Sequence, residues 1–335
     1  MSNTALKALT GAMALLPVAI FVSTSAGCDN PMLGPTGNMT GGAGGAAAGS
    51  PGSAGVSACG PSLLMSGATG KIAFDSDQND FNRDLYTIAV DGSALTRLTT
   101  DPSNEKEPSF SPDGQRLSFS SDRSGTFQIY LLDLATMEVT QVTNLPDGAD
   151  QSSFSHDGTL IAFHSDASVW VVHPDGTGAT QVATALDNFN AYFWPHFSAD
   201  DTELVFDRNN EIDAVQLDGV GFRQIVQNWT TTIKSPAVAP GGTDVAYAVS
   251  CDSALSVWTT PFSTTTEPCM GRRVTPPGDL TSQRPTWGPN NLIAYERVDA
   301  ATNIGSIAVI SRTTGSVPCL LTPGLADNRN PTWSF

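Results

Sequence analysis

Short runs of alternating apolar and polar residues, broken every few positions by Gly, Pro, Asp or Asn, fill the chain from about residue 71 onward. Such runs predict short β-strands joined by tight turns, and no long helical period is visible, so the pattern argues for an all-β protein. Between Glu105 and Asp122 the sequence is EKEPSFSPDGQRLSFSSD: a short strand PSFS, a turn SPDG, a second strand QRLSFS and an acidic loop SD. The same wording then returns. The short strand recurs as SSFS at 152, PHFS at 195, PAVA at 236, PTWG at 285 and PTWS at 331, at spacings of 41 to 49 residues. Second strands follow as LIAFHSD, ELVFDRN, DVAYAVS and LIAYERV, and their period-two alternation places one face of each against a neighbouring sheet. Third strands (FQIYLLDL, SVWVVHPDG, EIDAVQLDG, SVWTTPF, SIAVISR) and fourth strands (VTQVTN, ATQVAT, FRQIVQ, GRRVTP, PCLLTP) complete a four-stranded meander per repeat. About 45 residues per meander is the size of one propeller blade.

The ends of the chain indicate closure. After Gly70, KIAFDSD supplies a second strand with no first strand before it, while NPTWSF at 330–335 supplies a first strand with nothing after it. The C-terminal strand is therefore expected to complete the N-terminal blade, giving a six-bladed β-propeller without exposed sheet edges. Phe110, Phe119, Phe154, Phe163, Phe206, Trp287 and Trp333 recur at equivalent positions and are assigned to packing between blades.

This repeat resembles that of the TolB-type, WD-like β-propeller family, PxFSPDGxxIAFxSDRxGxxxIY. The likeness covers about residues 71–335, is most specific at 107–130, and weakens in the fifth blade at APGG and AVSCDS. It implies an envelope propeller. The family's N-terminal α/β domain has no room between Gly55 and Lys71, which puts a role in Tol-dependent envelope constriction in doubt.

The first sixty residues carry a different signal. Lys7, an apolar run from about Leu9 to Val22 and small residues ending Ser25-Ala26-Gly27-Cys28 have the layout of a secretory signal peptide. The Ala-Gly-Cys ending resembles a bacterial lipobox, although Ser25 stands where that motif usually has Leu. Residues 1–27 are therefore read as the signal peptide, Cys28 as the lipidation site, 28–60 as a flexible Gly/Ala/Ser/Pro linker and 61–335 as the propeller. The expected location is the bacterial cell envelope, periplasmic or at the cell surface, with membrane contact only through the lipid anchor.

Residues 1–60 hold only Lys7 and Asp29 as charged positions, so the formal charge of −17 falls on the part after the linker. Such an acidic domain repels phosphate backbones, which removes nucleic acid as a partner. With Cys28 lipidated, four cysteines remain, an even number that permits two disulfides. Three pairings are open; the favoured one joins Cys251 to Cys269 within one repeat and Cys59 to Cys319 across the chain ends.

No motif carries catalysis or metal binding. The four histidines form no HxxxH or HExxH, no GxSxG is present, and Asp77, Asn79 and Asp80 lack the Gly and Glu that a calcium loop needs. No catalytic residue, metal or cofactor is assigned. His196, in a first strand at or near the channel, is the residue on which an alternative lyase or hydrolase reading would rest. In a propeller the first strands line the axial channel, so the residues just before them form one mouth: Glu107, Gln151, Trp194, Ser235, Arg284 and Asn330, with Lys106, Lys234 and Arg329 beside them. This mixed ring is the expected docking place for an envelope protein or small ligand on a monomeric propeller.

Overall fold

The computed structural model describes residues 57–58, 69–79, 82–184, 191–227, 231–313, 316–322, 324 and 326–334. The segments expected as signal peptide (1–27) and linker (28–60), apart from Ser57 and Ala58, lie outside the described residues, as do Cys28, Cys59 and Asp80.

Six antiparallel sheets form the blades of a propeller. The first blade pairs Asn328–Trp333 with Lys71–Ser76, Ile72 opposite Trp333 and Asp75 opposite Arg329, so the C-terminal strand closes the ring. In the other blades the innermost strands are Glu105–Phe110, Asp150–Phe154, Tyr192–Phe197, Ile233–Val238 and Thr281–Trp287. Blade six has a fifth strand that the repeat does not announce: Ser57–Ala58 runs parallel to the outermost Cys319–Leu320. Cys319 is disulfide-bonded, and Cys251 and Cys269 are bonded to each other with their Cα atoms 5.8 Å apart.

Alternation along these strands does not separate a buried face from a wet one, because a blade is covered on both sides. Ile72 and Phe74 pack with Leu292, Ala294 and Ile307 of blade six, whereas Ala73, pointing the other way, packs with Leu117 and Phe119 of blade two. The same arrangement gives a hydrophobic cluster at every seam, one per pair of adjacent blades. The recurring aromatics fall in these seams: Phe119, Phe163 and Phe206 are fully buried, and Trp287 and Trp333 nearly so.

The SPDG turn is held by its own side chains. Ser111 Oγ donates to Asp113 Oδ1 at 2.6 Å and accepts from the Arg116 amide at 2.9 Å, while Gly114 takes φ +66°. Ser155 with Asp157 and Ser198 with Asp200 repeat the clasp. Blade five, with Ala239 and Gly241 in those places, lacks both side chains. The acidic loop is structural too, since Asp122 accepts from the Asn104 amide at 2.8 Å and Asp77 from that of Asp327 at 2.8 Å.

Candidate functional site at the channel mouth

Every innermost strand carries a β-bulge at the same place. Pairing skips from Lys106 to Ser109, Phe193 to His196, Lys234 to Ala237 and Gln283 to Thr286, and equivalent shifts occur in blades one and three. Five of the bulges contain proline (Pro108, Pro195, Pro236, Pro285, Pro331), which is tolerated there because the missing N–H falls where the ladder makes no bond.

The residue opening each bulge is one of the six mouth positions, and all six adopt the left-handed conformation: Glu107, Gln151, Trp194, Ser235, Arg284 and Asn330 have φ between 50° and 58°. That conformation costs a non-glycine residue about 1–2 kcal/mol. It turns each backbone N–H out of its own sheet toward the preceding blade. The Glu107 amide donates to Asp75 Oδ1 (3.0 Å), that of Gln151 to Glu107 Oε2 (3.0 Å) and that of Trp194 to Gln151 Oε1 (2.9 Å). Ser235 donates to Asp207 Oδ2 (2.9 Å) and Asn330 to Glu296 Oε2 (3.5 Å). At blade five the place of Asp75, Asp207 and Glu296 in the second strand is taken by Ala248, which has no acceptor for the amide of Arg284.

Two halves of the mouth differ in charge balance. Across the closure, Glu296 binds Arg284 (2.6 Å) and Arg329 (3.0 Å), Arg329 binds Asp327 (2.8 Å), and Arg83 joins Asp327 (2.9 Å) to Asp75 (2.5 Å). On the opposite half Glu107 and Asp207 have no ion-pair partner among the described residues. Burial and the neighbouring Asp150 push the Glu107 carboxyl up to about 7, and burial pushes Asp207 up to about 7. His164 lies between these groups. Burial works against its protonation, but its Nδ1 contact with Asp150 (2.7 Å) and that charge raise its pKa, while its Nε2 is buried without a partner among the described residues.

Glu107, Gln151, Trp194, Arg284 and Asn330 line the narrow axial channel, of about 90 Å³. The first four, with Lys234 and Asp207, also line a funnel of about 600 Å³ above blades three to five. Arg284 reaches across the small Ser235 to lie 4.9 Å from the Trp194 ring. Lys106 and Arg329 are directed elsewhere: the Lys106 ammonium sits 3.8 Å over the Phe127 ring, and Arg329 is engaged with Glu296 and Asp327. Asp75, His164, Asp207 and Glu296 join the site from outside the six mouth positions, and a polar residue at the fifth position of a second strand is the sequence signal for them. His196 lines the channel further down, and burial lowers its pKa to about 4, so its imidazole is neutral. Among the described residues no group of three or more His, Cys, Asp or Glu is arranged to hold a metal ion.

The raised carboxyl of Asp207 has a thermodynamic consequence. The folded state holds this proton more tightly than the unfolded chain, so its burial cost is absent below about pH 4, grows with pH and levels off above about 7. Asn at this position can still accept from Ser235. The melting temperature of Asp207→Asn relative to wild type should therefore be higher at pH 8 than at pH 5, by about 5 °C. Parallel shifts at the two pH values would show that Asp207 does not titrate in this range.

The family described as the TolB beta propeller domain matches residues 57–168. That match covers about a third of the chain and, with the six-bladed fold, makes its propeller similar to the TolB type. The chain has a TolB-type β-propeller. Among curated relatives, a TolB homolog of Chlorobium luteolum is 37% identical over 65 residues, 19% of this chain and 14% of that protein. The Tol-Pal system protein TolB of Bordetella pertussis is 45% identical over 47 residues (14% and 11%), and dipeptidyl-peptidase 5 of Porphyromonas gingivalis 36% over 55 residues (16% and 8%). The match thus spans at most 14% of these relatives. The crystal structure of TolB from Acinetobacter baumannii superposes with a TM-score of 0.67 at 16% identity, covering 82% of this chain and 69% of that one. At that identity the superposition speaks for the TolB-type fold alone.

Proposed function

We propose that this chain is a non-enzymatic, lipid-anchored cell-envelope protein whose propeller binds a segment of a protein partner at the polar channel mouth. The observation that carries this reading is the pre-organised funnel: six backbone positions held left-handed, an Arg284–Trp194 platform, and the carboxyls of Glu107 and Asp207 without an ion-pair partner among the described residues. A site already fixed in its bound shape loses little entropy when a partner docks. Basic and aromatic groups from a peptide match its charge and its ring surface. The names of the Chlorobium and Bordetella relatives support an envelope protein as the partner, and the Ala-Gly-Cys sequence at 26–28 supports the anchor.

Crosslinking in intact cells followed by mass spectrometry tests this. Wild type should capture an envelope protein, and the double variant Trp194→Ala, Glu107→Gln, whose amide still accepts from the Gln151 backbone, should lose it at unchanged expression. A partner captured equally by both excludes the mouth as its site, and recovery of a peptidoglycan-associated lipoprotein would identify a Tol-type partner. Palmitate label in the same cells should be carried by wild type and absent from Cys28→Ala.

A further inference from the structure

The opposite end of the channel has the reverse chemistry. Here a cavity of about 250 Å³ opens on the face of the SPDG turns. Its walls are Phe110, Phe154, Trp287 and Trp333 with Val238 and Pro240 of blade five; no Asp, Glu, Lys or Arg lines it, in a chain of formal charge −17, and His156, which also lines it, has its Nδ1 on Asp201 (3.0 Å). Both indole N–H groups are already used, Trp287 on the Ala237 carbonyl (2.9 Å) and Trp333 on that of Thr69 (3.2 Å), so the tryptophans offer only ring surface. Polar groups converge at the floor, where Ser109, Ser153, Thr286, Thr332 and His196 are shared with the channel. Ser153 donates its proton to the Pro195 carbonyl (2.8 Å) and keeps lone pairs free to accept.

We propose that this second mouth binds a small uncharged aromatic molecule with one hydrogen-bonding group, its ring against the aromatic walls and its polar atom on the hydroxyl floor. The volume holds one or two fused rings and no element of a folded partner. A cation or an anion would lose its hydration without meeting a counter-charge, whereas a neutral ring gains stacking surface and can satisfy its polar atom. Blade five is where the repeat departs from its motif, a departure that ring closure does not require. Here it has an effect: Val238 gives one side of the cavity an aliphatic wall where the equivalent positions of the other blades are the rings of Phe110, Phe154, Phe197, Trp287 and Trp333. The neutral imidazole of His196 fits the same ligand class, since it leaves the floor uncharged above about pH 5. This site is independent of the polar mouth and of any partner bound there.

Indole serves as the probe, titrated into the full chain and followed by amide and methyl chemical shifts. Saturable binding with a Kd of about 1 mM or tighter is expected, with the shifts concentrated at Ser153, Val238 and Thr286. Thr286→Phe, which fills the floor from a position with no recorded side-chain bond, should weaken binding at least tenfold. Thr332→Leu blocks the same space and replaces it should Thr286→Phe fail to fold. Lys234→Glu in the polar funnel should leave affinity unchanged. Absence of saturation up to the solubility of indole, insensitivity to the blocking variant, or loss of binding in Lys234→Glu would overturn the proposal.

Discussion

Removing residues 330–335 should lower the melting temperature by more than about 10 °C. The deletion takes out Trp333, which seals the seam between blades six and one against Ile72, Phe74 and Leu292. It also removes the bonds between Ser334 and Lys71 (2.8, 2.9 and 3.2 Å) and that of Asn330 to Asp75 (2.7 Å). Truncating a buried tryptophan alone costs about 3–5 kcal/mol. The lost ladder and the opened edge of Lys71–Ser76 add to this, and each kcal/mol moves the melting point of a domain this size by about 2–4 °C. Trp333→Ala, which keeps the strand, should show a smaller drop. Calorimetry distinguishes them, and an unchanged melting curve for the deletion would show that the C-terminal strand does not hold the ring shut.

Asp75→Ala is the second large effect, at about 3–5 kcal/mol by denaturant unfolding. This fully buried carboxylate accepts from Arg83 Nε (2.5 Å), the Asn330 side chain (2.7 Å) and the Glu107 backbone (3.0 Å). Alanine leaves three donors, Arg83 Nε, the Asn330 side chain and the Glu107 amide, without an acceptor, while Arg83 keeps its pair with Asp327. Asp75→Asn retains an oxygen and should lose less. Equal losses for the two variants would assign the effect to packing rather than to the charge and its bonds.

The ring was legible in the sequence because each blade solves the same steric problem with the same residues: a clasped turn, an aromatic in the seam, a bulge at proline. The missing first strand before Lys71 and the unfollowed one at Asn330 gave the closure directly. The six mouth positions were legible for the same reason, since they precede the repeat's most regular strand. Their left-handed backbone was not, because only the following proline hints at it. Asp75, Asp207 and Glu296 escaped notice because alternation tells which side of a strand a residue is on, and here both sides are interior. What decides their role is that the top of one blade's second strand lies beside the next blade's bulge, a relation between residues 28 to 34 positions apart. The strand Ser57–Ala58 is too short to carry any pattern.

The left-handed bulges also set the alphabet with which this mouth can be rewritten. Six equivalent positions hold six different residues, Glu, Gln, Trp, Ser, Arg and Asn, and none is β-branched. Val, Ile and Thr are the side chains that positive φ tolerates least. Glu107, Gln151 and Asn330 bond to the neighbouring blade and are held to those duties, whereas Trp194, Ser235 and Arg284 show that the backbone accepts side chains of differing charge, size and aromaticity while refusing one class of shape. Recognition can drift from one partner to another by single substitutions there, with the ring beneath left as it is.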